Sequence, residues 1–192
     1  MAGPPTDDQE LLRQLAKGNE NAFRALYDRY QGPIYRFALH MSGNSATAEE
    51  ITQEVFMLLI RNPKSYQAEK GSVAGYLYGI ARNLARRSLQ QSYRDVELSN
   101  GYREGEEHDL ALASDLDLLE ELSKAQLAEV LRKAVLSLPE QYREVVVLCD
   151  LEEMSYTDAA EFLDCLPGTV ASRLHRGRAM LRTKLSCHKC LK

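Results

Sequence analysis

Long apolar runs are missing from this chain. The longest, around Val145, covers about five residues, whereas a helix crossing a bilayer needs roughly 20. The opening "MAGPPTDD" lacks the basic start and apolar stretch of a secretory leader, so neither export nor membrane insertion is expected. No alternation of apolar and polar residues lasts long enough to suggest a sheet. Cysteine is sparse. Cys149, Cys165, Cys187 and Cys190 lie late and unevenly, which excludes the disulfide framework of a small secreted domain and places the chain in a reducing cytoplasm. Enzyme signatures are missing too: there is no H-E-x-x-H and no nucleophile elbow, and "EKGS" lacks the glycine spacing of a phosphate loop.

What is present is helical periodicity. With 192 residues and 44% apolar content, the chain can bury one or two cores. Leu11, Leu12 and Leu15, then Phe23, Leu26, Tyr27 and Tyr30, then Ile34, Phe37 and Ala38 recur at helical spacing, with interruptions expected at Gly18 and at Gly32-Pro33. "NSATAEE" predicts a helix start at which Thr47 caps and Glu50 closes a capping box. In "VAGYLYGIARNLARRSL", Val73, Leu77, Ile80 and Leu84 share an apolar face, while Ser72, Tyr76, Gly79 and Asn83 form a second strip suited to a planar polar group. The expected fold is all-α: two helical domains over residues 9–94 and 127–186, an acidic linker over 95–126 and a cysteine-containing tail over 187–192.

Charge is distributed unevenly. The formal net charge is −4, but residues 1–94, 95–126 and 127–192 carry +3, −8 and +1. "GTVASRLHRGRAMLRTKL", from Gly168 to Leu185, has no acid, which implies an anionic partner. It lies within "SYTDAAEFLDCLPGTVASRLHRGRAMLR", which has the spacing of a helix-turn-helix, with Ala159 and Ala160 allowing close helix approach. On the second helix Val170, Leu174, Gly177 and Leu181 form an inward strip. Thr169, Ser172, Arg173, His175 and Arg176 are the candidate contacts to duplex DNA, since arginine binds guanine edges or phosphates and short hydroxyls permit close approach. Thr169 can instead serve local backbone bonding, and Arg178 and Arg182 can simply favour a helix C-terminus.

With these residues in view, the chain resembles the extracytoplasmic-function sigma factors of bacteria. "AFRALYDRY", "AEEITQEVFMLLI" and "YLYGIARNLARR" look like sigma domain two, and "LPEQYREVVVLCDLEEMSYTDAAEFLDCLPGTVASRLHRGRAMLR" looks like sigma domain four. The resemblance implies a non-enzymatic factor that binds core RNA polymerase, directs it to promoter DNA and helps open it, with an anti-sigma factor as a further partner. It implies duplex reading by the helix beginning at Pro167. It also implies capture of a melted base by Tyr66, Lys70, Ser72, Tyr76 and Asn83, with Arg82, Arg86 and Arg87 on adjacent phosphates. Glu49, Glu50, Gln53 and Glu54 are the implied polymerase-docking face. Two positions depart from the family pattern: Ala171 stands where lysine or arginine is common, and Tyr76 where tryptophan is frequent.

The alternative is a stand-alone helix-turn-helix regulator binding a palindromic duplex without polymerase. The tail places Cys187, His188 and Cys190 together, which supplies at most three ligands where structural zinc takes four. No cofactor is expected otherwise, and this pair is a candidate for metal or redox sensing.

Overall fold

Short polar side chains start the first three helices of the computed structural model, which describes residues 7–98 and 127–189. Asp7 accepts from the Gln9 N–H ahead of α1 (Asp8–Leu15), and Asn19 accepts from the Asn21 N–H ahead of α2 (Glu20–Ser42). Ahead of α3 (Ser45–Arg61), Asn44 accepts from the Thr47 N–H at 2.9 Å. The α3 cap is therefore Asn44 and not Thr47, which lies already inside the first turn and is the residue whose amide is being satisfied.

The interruption expected at Gly32-Pro33 is absent, because α2 runs through it. A proline inside a helix costs about 3 kcal/mol or more, through a lost amide bond and a steric clash. Here the following turns bury Ile34, Phe37, Ala38 and Met41 completely, which offsets that cost. A 3-10 turn (Ala68–Lys70) leads to α4 (Val73–Leu98), so the boundary expected at residue 95 falls inside a helix. Helices α2, α3 and α4 pack pairwise around Leu26, Phe37, Val55, Leu59 and Leu77, and α1 lies along α2.

The C-terminal half contains α5 (residues 127–136), α6 (Glu140–Val146), a π-helical turn (Val147–Leu151), α7 (Tyr156–Phe162) and α8 (Pro167–Lys189). No strand occurs among the described residues. The apolar run Val145 to Leu148 is wholly buried. Against it lies the inner stripe of α8, where Val170 and Leu174 are buried and Gly177 packs on Val146.

The two halves are packed on each other, which no local pattern had announced. On α4, burial falls on Val73, Leu77, Tyr78, Ala81 and Ala85, while Ile80 and Leu84 are only half-buried. The face is rotated from the expected one because α7 covers α4 as well as α2 and α3 do. Phe162 of α7 sits edge-on to Phe37 and Tyr78, with centroids 6.4 and 6.3 Å away. Around this apolar centre Arg36 binds Glu152 through two hydrogen bonds of 3.2 and 2.9 Å, and Arg82 binds Glu144 through two of 2.6 and 2.9 Å. Arg143 closes the rim, donating to the carbonyl oxygens of Met41 at 2.9 Å and Leu138 at 3.1 Å.

Two predictions test this packing. A Cβ at residue 177 would lie 2.8 Å from Val146 Cγ2. Gly177→Ala should therefore destabilise the chain by about 1–2 kcal/mol despite alanine's better helix propensity, as overpacking does. Chemical denaturation reads this directly, and an unchanged or higher midpoint would contradict the close α6–α8 approach.

His40 is half-buried, and its Nδ1 has no partner. Burial, with Arg132 and Arg36 adding to it, pushes its pKa below 6.5. The neutral form is thus favoured in the fold, so its contribution to stability is present above pH 6.5 and is lost as pH falls through the lowered value. Thermal midpoints should fall on acidification, and His40→Gln should fall less over the same range. Parallel pH profiles for the two proteins would contradict this.

Candidate nucleic-acid interface

The basic helix is presented by local geometry. Ser155 caps α7 by accepting from the Asp158 N–H at 3.1 Å and donates to the Asp158 carboxylate at 2.6 Å. The chain then reverses at Asp164, which has φ +51°, a left-handed conformation that aspartate tolerates better than most residues. With Val170, Leu174 and Gly177 turned inward, Ser172, His175 and Arg176 are exposed, and Thr169 and Arg173 are half-buried. The five expected duplex-contact residues thus lie along one stretch of α8. Neither Arg173 nor Arg176 is ion-paired among the described residues.

Arg178 behaves differently. It binds Asp150 through two hydrogen bonds of 3.0 and 2.5 Å, tying α8 to the π-helical turn and raising the arginine's pKa further. The Ser172 hydroxyl donates to the Thr169 carbonyl oxygen at 3.0 Å, so it is occupied locally until a ligand displaces that bond.

A cleft of about 620 Å³ opens where α3 ends and α4 begins, lined by Leu58, Arg61, Asn62, Pro63, Lys64, Ser65, Tyr76 and Ile80. The Tyr76 hydroxyl is hydrogen-bonded to Ser65 Oγ at 2.5 Å, and Tyr66 is edge-on to Tyr76 with centroids 5.7 Å apart. Tyr66 donates to the Gly71 carbonyl oxygen at 2.8 Å, and burial pushes its phenol pKa up. Gly71 has φ +123°, which a side chain would oppose.

Of the expected melted-strand residues whose side chains are described, only Tyr76 lines this cleft, with Tyr66 behind it. Ser72 caps α4 by accepting from the Gly75 N–H at 3.0 Å. Asn83 and Arg87 are exposed outside the cleft, because helical spacing carries them along α4 and away from its mouth. Arg86 is paired with Glu140 and, at 3.2 Å, with Glu144. The side chain of Lys70 lies outside the described residues. Arg61, Asn62, Lys64 and Ser65 were missed, although "RNPKS" carries the signal: a basic and amide cluster at a proline turn between two helices.

A second groove, of about 590 Å³, runs between α2 and α3. Phe23, Tyr27 and Phe56 form an aromatic cluster with centroids 4.8 to 6.2 Å apart, and Met57 and Ile60 are exposed beside it. Of the expected docking residues, Glu49 and Gln53 line this groove. Glu50 is exposed outside it, and Glu54 is half-buried and 3.7 Å from Arg61. The charged residues drew notice in the sequence; the apolar floor beneath them did not.

The metal or redox reading of the tail falls outside the described residues, since the side chains of Cys187 and His188 and all of Cys190 lie beyond them. The same holds for the linker from residue 99 to 126. Among the described residues Cys149 is a half-buried thiol whose pKa is pushed up by burial, with Asp150 adding to it.

Comparison with known proteins places these surfaces in context. Residues 26–94 match the family model described as Sigma-70 region 2, and residues 128–181 match that described as Sigma-70, region 4. The chain is similar to the ECF RNA polymerase sigma factor SigW of Bacillus subtilis, 33% identical over 182 residues that span 92% of this chain and 96% of that protein. It is similar to the ECF RNA polymerase sigma-E factor of Haemophilus influenzae, 31% identical over 182 residues, or 93% and 95% of the two chains. Among solved structures it is similar to the sigma factor RpoE of Bartonella quintana, determined in complex with the anti-sigma factor NepR. There the TM-score is 0.67 at 25% identity, covering 85% of this chain and 96% of that one.

Proposed function

The chain belongs to the extracytoplasmic-function sigma factors of RNA polymerase, and on that premise we propose how its three surfaces divide the work. Sigma factors are transcription initiation factors and not enzymes, so the surfaces bind and position rather than catalyse. The groove between α2 and α3 docks an amphipathic helix of core RNA polymerase, with Tyr27, Met57 and Ile60 as apolar anchors and Glu49 and Gln53 on the rim. Helix α8 lies in the major groove of the upstream promoter element, where Arg173 and Arg176 reach bases or phosphates. The cleft at Tyr76 receives a base extruded from the downstream element. Extrusion costs a few kcal/mol, which stacking on the tyrosine and hydrogen bonds from Asn62 and Ser65 offset. In this reading Arg61, Lys64, Arg86 and Arg87 hold the flanking backbone, and Asn83 meets an adjacent base.

The observation that carries this reading is the acid-free helix α8, with Arg173 and Arg176 outside any ion pair among the described residues, on the same chain as an open apolar groove in the region-two bundle. An anti-sigma factor is the further partner, as in the similar Bartonella structure, and the cytoplasm is the compartment in which polymerase is met. The Cys187 and Cys190 thiols, with His188, are a redox or soft-metal sensor in the tail. Stoichiometric metal on the reduced chain by mass spectrometry supports that role, and none removes the metal form.

The test of the main reading is co-elution with core RNA polymerase freed of other sigma factors, followed by promoter-dependent transcription. Ile60→Asp should abolish co-elution while leaving the fold intact. Arg173→Ala and Arg176→Ala should each weaken promoter binding by about 1–3 kcal/mol, unequally across promoter variants if they read bases. Tyr76→Ala should impair promoter opening while duplex binding persists. An absence of core association together with tight binding to a palindromic duplex would replace this reading with that of a stand-alone regulator.

A further inference from the structure

The N-terminal end of α8, the end that a recognition helix sends to the base edges, carries no charge. Between Asp164 and Arg173 the sequence reads "CLPGTVAS". Leu166, immediately ahead of the helix, is 75% exposed, more than any other large hydrophobic side chain among the described residues. Its backbone is nevertheless held. The Cys165 N–H donates to the Ala160 carbonyl oxygen at 2.9 Å, and the Leu166 carbonyl oxygen accepts from the N–H groups of Thr169 at 2.8 Å and Val170 at 3.2 Å. Cys165 and Val170 pack into the core on either side of it. Gly168 adds no side chain, and a Cβ there would meet nothing within 4 Å, so this end of the helix is bare except for the leucine.

We propose that Leu166 is a specificity-determining residue: it packs on the C5-methyl group of a thymine in the upstream promoter element, and so demands a thymine at the position facing the start of α8. The inference rests on the reading of α8 as a major-groove helix and adds a base identity that its arginines do not supply.

The chemistry selects the base. In the major groove the base edges present donors, acceptors and one apolar group, the thymine methyl. Leucine has no donor or acceptor, so against a purine edge it would take N7 out of water without replacing the lost hydrogen bond. Against the methyl, both surfaces leave water at no such cost. The register fits as well. Leu166, Thr169, Arg173 and Arg176 are spaced three, four and three residues apart, which places them along one side of the helix, with the leucine at the entering end and the guanidinium groups farther along. A solitary exposed leucine is ordinary on a protein surface; the fixed backbone and the uncharged surroundings set this one apart.

The experiment uses the full chain bound to core RNA polymerase and a promoter recovered in the transcription assay. Each thymine of the upstream element, on either strand, is replaced in turn by deoxyuridine, which removes the methyl and keeps every hydrogen-bonding group. Affinities are read by competition, and circular dichroism verifies the helix content of the variant. For the parent, one replacement should weaken binding about fourfold, the size expected for burying one methyl group. Leu166→Ala should weaken binding to the thymine duplex by a similar factor and be indifferent to deoxyuridine at that position, as a double-mutant cycle requires of two groups in contact. A parent that tolerates deoxyuridine at every position would overturn the proposal, as would a Leu166→Ala variant that keeps the parent's penalty. Failure of the sigma reading is separate, because the parent then fails to associate with core polymerase before any base is replaced. The same scan is in that case run on the palindromic duplex bound by the chain alone, and the same two results decide it.

Discussion

Everything about the arrangement of this chain depends on one buried carboxylate. Glu144 is taken out of water at the centre of the interface, and a lone charge there would be strongly disfavoured. Arg82 and Arg86 make its burial tolerable by meeting both oxygens. That requirement fixes which face of α4 meets α6, and so where Phe162 enters between Phe37 and Tyr78. The apolar centre contributes attraction without direction, whereas the ion pairs contribute direction with little net attraction. Their combination specifies one docked geometry.

The same arrangement explains how two binding surfaces coexist on an acidic protein. Region four turns Glu140, Glu144 and Glu152 to region two and keeps Arg176 exposed on α8. The pair between Arg178 and Asp150 separates the two faces by anchoring α8 to the π-helical turn. The apolar groove of α2 and α3 is open in the closed chain, as is the exposed face of α8. Both surfaces are therefore accessible with the halves packed together.

Much of this was legible in sequence because the relevant physics is local. Helical spacing exposed the inward strip of Val170, Leu174 and Gly177, and hence the outward position of Ser172, His175 and Arg176. Tyr76 was found by the same arithmetic. Local rules failed where tertiary packing outweighed them: Pro33 was read as a break, yet the residues buried after it carry α2 onward. The choice of Asn44 over Thr47 as a cap depended on which residue kept extended backbone, which composition does not reveal. The interface itself was invisible. Arg82 and Glu144 are 62 positions apart and Arg36 and Glu152 are 116 apart, and each acid looks like an ordinary solvent-facing charge on a short amphipathic helix. For the cleft, attention fell on residues along α4, whereas its walls come largely from the loop after α3.

The arrangement turns on the packing of region four against region two through Glu144, Glu152 and Phe162. The most direct measurement is the distance between spin labels on the exposed surfaces of α3 and α8, recorded for the parent chain and for Glu144→Gln. A single short distance in the parent chain, lengthened or broadened in the variant, is the predicted result. The same distance in both proteins would contradict this dependence, as would a long distance in the parent.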